Sequence, residues 1–126
     1  FDSVVVNHSI RVSGIREIVI TKMDVLNDFD TIRICVGYRA DGKVFYHVPS
    51  NLEILKHSEP VYEEMRGWKT EIKGVRNFKD LPTNAKRYLK RIQKLIGTKI
   101  TMISVGSERD ETVEVKNPFI KKSLRK

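Results

Sequence analysis

Residues Ile18 to Leu26 read IVITKMDVL, an apolar, β-branched run that stops at Thr21-Lys22-Met23-Asp24. A short run of this kind, bounded by polar residues, fits a strand buried on both faces, as in parallel sheets. In open α/β sheets, ligands sit just beyond the carboxyl ends of such strands. Lys22 and Asp24 then occupy a ligand position and point the same way, provided the chain stays extended through Met23. That spacing suits a purine base. A carboxylate offers only acceptors; guanine presents two adjacent donors on its Watson–Crick edge, whereas adenine turns an unprotonated ring nitrogen towards it. The lysine stem can lie over the flat of a base while its ammonium stays in water. A solvated lysine beside a helix-capping aspartate accounts for the same four letters.

The chain is 126 residues long, the size of one ordinary domain. With 40% hydrophobic and 32% charged residues, it reads as soluble and globular rather than disordered. No apolar run approaches the roughly 20 residues needed to span a bilayer, so no membrane partner is expected. The opening FDSVVVNH lacks a basic n-region and a cleavage site, and its missing Met points to part of a longer product. The single cysteine, Cys35, sits in an apolar run; a buried thiol in a reducing, cytoplasmic compartment is expected. Twenty-four Lys and Arg against 16 Asp and Glu give a net charge of +8. This excess attracts phosphates without choosing among nucleic acid, nucleotide and anionic membrane.

In residues 1–13, Val4, Val5 and Val6 favour a strand, while Phe1, Val4, Val5, His8 and Val12 share one helical face behind Asp2 or Ser3 as a cap; the helix is the preferred reading, with Ser13-Gly14 ending it. His8 lacks a second ligand at helical spacing, so it reads as a helix-face residue. Thr31 to Arg39 alternates as a strand, Asp41-Gly42 predicts a type I′ turn, and Val44 to Val48 returns. Arg33 and Arg39 on its mixed face are expected to meet water. Ser50 caps a short helix with Leu52, Ile54 and Leu55 inward, and Pro60 to Trp68 is a strand whose Trp68 anchors on the core. Lys69 to Phe78 reads as a surface excursion. From Leu81-Pro82 to Gly97 runs the clearest helix, with Ala85, Leu89, Ile92, Leu95 and Ile96 as its apolar stripe. Lys86, Arg87, Lys90, Arg91 and Lys94 form a basic face that reads as solvated, or alternatively as the grip of a freestanding RNA-binding or interaction module. Thr98 to Val105 is a second β-rich run, ending at Ser104-Val105-Gly106-Ser107. Helix then strand, beside a strand ending in TKMD, is how βαβ sheets are built. Two strand ends thus meet on one edge, one carrying Asp24 and the other presenting backbone N–H groups around Gly106. Arg109 follows as a phosphate clamp or a partner of Asp110. Residues 111–115 form a last strand, and 117–126 a frayed basic tail.

Together, TKMDVL, CVGYR with its Asp-Gly turn, EPVYEEMRGW, the long helix and ISVGSERDET resemble, in that order, the C-terminal portion of adenylosuccinate synthetase. The resemblance spans nearly the whole chain. Met23 stands where the family usually has Leu, and Ser107 where it usually has Pro. The resemblance implies an α/β fold, the C-terminal part of a mostly parallel P-loop-NTPase-like sheet with flanking helices and an added β-hairpin. It further implies an enzyme that joins IMP to L-aspartate using GTP and Mg²⁺, functions as a cytoplasmic homodimer and has no nucleic-acid partner. Lys22, Met23 and Asp24 would line the guanine base, and Ser104, Val105 and Gly106 would close it through the backbone. The phosphate loop, the metal site and the catalytic residues belong to the family's upstream portion, so residues 1–126 hold the base site of the larger enzyme and alone are expected to catalyse nothing.

Overall fold

The computed structural model describes residues 1–115. Helix α1 (Ser3–Ser13) is capped by Asp2, whose carboxylate accepts from the Val4 and Val5 N–H groups, and is closed by Gly14 at φ 65°. Its inward face is not the one the sequence predicts. Val4 is buried, but Val5, His8 and Val12 are exposed, because polar side chains fix the rotation of the helix. Ser3 Oγ donates to the Cys35 carbonyl at 2.8 Å, and Asn7 Nδ2 donates to the Leu95 carbonyl at 2.9 Å. Cys35 is a buried free thiol, as expected.

Strand β1 (Glu17–Ile20) runs into a 3-10 helix, Met23–Leu26. Strands β2 (Thr31–Ala40) and β3 (Lys43–Phe45) form the expected hairpin, with Asp41 and Gly42 at φ 51° and 76° as a type I′ turn requires. The return strand stops at Phe45, earlier than expected; with Val44 and Tyr46 exposed, no apolar stripe holds further pairing. Helix α2 (Leu52–Lys56) is capped by Asn51 rather than Ser50, since the Asn51 side chain accepts the Glu53 N–H. Leu52, expected inward, is 63% exposed.

Strand β4 (Glu59–Arg66) lies antiparallel to β2, from Thr31 opposite Arg66 to Arg39 opposite Glu59. On this sheet Arg33 pairs with Glu64 at the surface. Gly67 then turns tightly under the start of β2: its N–H donates to the Asp30 carbonyl, and a Cβ there would lie 1.8 Å from the Phe29 carbonyl oxygen. Trp68 is buried as expected; its indole N–H donates to Asn27 Oδ1 at 2.8 Å, and its ring lies 5.8 Å from that of Tyr88. The segment read as a surface excursion is anchored, because Ile72 is fully buried.

Helix α3 (Thr83–Ile96) begins after Pro82 and ends at Gly97, φ 64°. It buries Ala85, Tyr88, Leu89, Ile92 and Ile96, the predicted stripe with Tyr88 added and Leu95 only partly covered. Strands β5 (Lys99–Ser104) and β6 (Thr112–Glu114) follow. One core joins α3 to residues of both sheets, among them Ile32 and Ile34 of β2, Ile100 and Ile103 of β5, and Val113 of β6.

The two sheets have the orders β1-β5-β6 and β3-β2-β4. Among the described residues the β1–β5 pairing is parallel, while β5–β6, β2–β3 and β2–β4 are antiparallel, so the described part is mixed α/β. Strand β1 is not buried on both faces: Glu17 and Val19 are exposed, Val19 at 52%. It is an edge strand here, and only Ile18 and Ile20 pack against the core. The tail, 117–126, lies outside the described residues.

Two substitutions check this packing. Ile72→Ala is expected to cost about 2–5 kcal/mol, as for a large-to-small change in a closed core, and Leu52→Ala less than about 0.5 kcal/mol, as at an exposed position. Urea denaturation of each variant beside the parent protein measures both; equal effects would contradict the anchoring of the 69–77 segment.

Candidate functional site

Parallel pairing of β1 with β5 places their carboxyl ends side by side. Ile20 lies opposite Ile103, so Thr21 and Lys22 leave one strand where Ser104 and Val105 leave the other. The Met23–Leu26 turn packs on β5. The six residues named from the sequence are therefore distributed over two adjacent loops, but not in the extended conformation first expected. Lys22 adopts a left-handed backbone, φ 55° and ψ 36°, and starts the 3-10 helix. Extension ends at Lys22 because Met23 must turn inward: it is 1% exposed and belongs to the core. Met23 thus supports the loop from beneath. Lys22 is exposed, and Asp24 is half-buried in the first turn.

The Asp24 main-chain carbonyl accepts the Asn27 N–H. Its carboxylate has no ion-pair or hydrogen-bond partner among the described residues. A left-handed lysine costs of the order of 1 kcal/mol, strain that tends to persist at functional loops.

The second loop is built around Glu111. The Val105 N–H donates to the Glu111 carbonyl at 2.9 Å, and the Glu111 N–H donates to the Glu108 carbonyl at 3.0 Å. Ser104 Oγ donates to the Gly106 carbonyl at 2.9 Å. Val105 is fully buried, so it contributes main chain and a core side chain. The Gly106 and Ser107 N–H groups donate to no protein group among the described residues. Two free donors therefore sit beside a loop that carries a free carboxylate, the pattern that complements a planar group with both carbonyl and N–H functions. At Gly106 the space that a Cβ would take is filled by the Glu111 carboxylate, which an added side chain would have to displace.

A cavity of about 620 Å³ lies beside these loops. Lys22 and Met23 line it with Ile20, Leu26, Phe29 and Tyr88, whereas Asp24, Ser104, Val105 and Gly106 do not. Its walls are largely hydrocarbon and lack the paired donors and acceptors of the strand ends. Burial pushes the Tyr88 phenol up to about 12. Arg109 is exposed and makes no ion pair with Asp110 among the described residues. On the basic face of α3, Arg91 donates to Glu63 of β4 at 2.7 Å, so part of that face is engaged within the protein. No group of three His, Cys, Asp or Glu side chains among the described residues is placed to hold a metal, and no helix among them is long and apolar enough to cross a membrane.

A sequence profile described as adenylosuccinate synthetase matches residues 1–113. The chain belongs to the adenylosuccinate synthetase family. An adenylosuccinate synthetase from Geobacter metallireducens is 50% identical over 119 residues, covering 94% of this chain and 28% of the relative. One from Trichlorobacter lovleyi is 48% identical over the same length and shares. The solved structure of fully ligated adenylosuccinate synthetase from Plasmodium falciparum superposes with a TM-score of 0.85 at 33% identity, over 92% of this chain and 28% of that one. The chain thus spans little more than a quarter of the family members it matches. Adenylosuccinate synthetases are ligases of purine biosynthesis, and a freestanding RNA-binding module finds no support in these relatives.

The sequence did not single out Glu111 as part of the site. Its only trace was the apolar alternation of ETVEV, which describes a strand and is silent on a carboxylate folded back under the preceding glycine.

Two outcomes test this geometry. Gly106→Ala is expected to cost about 1–3 kcal/mol, the range for overpacking a closed site, read by urea denaturation. Tyr88, neutral when buried, favours the fold fully below its unfolded value of about 10 and loses that contribution as pH rises towards about 12. Stability should fall more steeply between those limits in the parent protein than in Tyr88→Phe, as measured by the denaturation midpoint against pH.

Proposed function

We propose that this chain is the base-recognising, C-terminal portion of an adenylosuccinate synthetase that ligates IMP and L-aspartate at the expense of GTP. Asp24 accepts the ring N–H and exocyclic amine of guanine, Lys22 covers the base with its stem, and the Ser104-Val105-Gly106 loop closes the site through its backbone. Met23 fixes the loop height from the core. The observation that supports the reading is the parallel pairing of β1 with β5, which makes neighbours of the loop that carries the unpartnered Asp24 carboxylate and the loop that carries the Gly106 and Ser107 N–H groups. Adenine turns an unprotonated ring nitrogen and a C–H towards the carboxylate, leaving it without donors, and is rejected on that ground.

In this reading the β1-β5-β6 sheet continues a larger P-loop-like parallel sheet contributed by the rest of the polypeptide. The phosphates, Mg²⁺, IMP and L-aspartate are held there, in a cytoplasmic homodimer, and the present portion alone is inactive. When bound, GTP supplies the phosphoryl group that activates the IMP oxygen for displacement by the aspartate amine. The residues of this chain bind and orient the base, and the chemistry proceeds elsewhere.

Asp24→Asn in the full-length enzyme tests the assignment. An amide donates where guanine also donates, so kcat/KM for GTP should drop roughly a hundredfold or more, as for a lost buried polar match. Xanthosine triphosphate, which carries a carbonyl in place of the exocyclic amine, should become the better substrate. Retention of GTP preference by the Asn variant would remove Asp24 from this role.

A further inference from the structure

We infer that Glu111 is the positioning residue of the base site, setting the height and direction of the Gly106 and Ser107 N–H groups. The inference rests on the base-binding reading above and adds a residue to it. The Glu111 side chain is 5% exposed, a burial that is costly for a carboxylate and is offset by hydrogen bonds and nearby cations. Oε1 accepts the Glu108 N–H at 3.1 Å. Oε2 has no hydrogen-bond partner among the described residues, and its nearest cation is Lys73, with Nζ at 3.9 Å on the 69–77 segment. The same Oε2 lies beneath Gly106, 2.1 Å from where a Cβ would stand.

Glu111 therefore holds the loop at three points. Its carbonyl takes the Val105 N–H, its own N–H takes the Glu108 carbonyl, and its carboxylate takes the Glu108 N–H while filling the space under Gly106. The Gly106 and Ser107 N–H groups are not committed to Glu111 and donate to no protein group among the described residues. The carboxylate touches no ligand in this arrangement. It acts through the main chain, and Lys73 supplies the charge that makes its burial tolerable.

A residue that sets the base loop changes nucleotide binding without changing the phosphoryl chemistry. In the full-length enzyme, Glu111→Ala should raise the KM for GTP about tenfold while kcat stays within about twofold, the pattern of binding shared by ground and transition states. The KM values for IMP and L-aspartate should not move. Glu111→Gln keeps the acceptor for the Glu108 N–H and loses only the pairing with Lys73, so it should recover most of the loss. Should Glu111→Ala fail to fold, Glu111→Asp carries the same test, because it keeps the charge and withdraws it from Gly106 by one methylene. An unchanged KM for GTP in the variants that fold, or a parallel change in all three KM values, overturns the inference. Asp24→Asn assayed alongside separates the two ideas. Altered base preference in that variant with no effect at Glu111 defeats only the present inference, whereas no altered preference defeats the base site itself.

Discussion

Everything placed at the candidate site depends on the parallel pairing of two short strands. Once Ile20 is opposite Ile103, the loops that follow leave the sheet side by side. The pairing is held from below by α3, whose Ile92 and Ile96 share a core with Ile100 and Ile103. The helix is held in turn by its caps, a proline before it and a left-handed glycine after it. The site is therefore a by-product of ordinary core burial, with chemistry confined to residues that the core leaves at its rim.

Division of labour within the two loops follows from side-chain chemistry. Met23 and Val105 have nothing to offer a polar ligand and go into the core, taking their main chain with them. Lys22 and Asp24 flank Met23 and stay at the surface or near it. Gly106 has no side chain to place, and the space is taken by a carboxylate from five residues further on. Alternation of this kind separates the six candidate residues into those the core takes and those left at its rim.

The features legible in the sequence were those set by local rules. Asp2, Asp41-Gly42 and Gly97 each announce a cap or turn through their own backbone preferences, and the α3 stripe announces itself by spacing. What escaped was set by distant partners. The rotation of α1 is decided by Ser3 and Asn7 reaching Cys35 and Leu95, far along the chain. Extension past Thr21 was the natural reading of IVITKMDVL, and it failed because burying Met23 outweighed the local preference. The exposure of β1 is likewise a matter of which strands lie beside it, and its own letters carry no record of that. The strand ends bearing Lys22, Asp24 and Gly106 were legible as neighbours; the Glu111 brace under them was not.

The left-handed backbone at Lys22 has a consequence for anyone engineering this protein. Glycine or asparagine would occupy φ 55° more comfortably than lysine, and neither carries a cation on a long stem. A library sorted for thermal tolerance would therefore enrich replacements at position 22, and each improved clone would have traded away the side chain proposed to cover the base. Selection on heat resistance and selection on turnover would pull this one position in opposite directions.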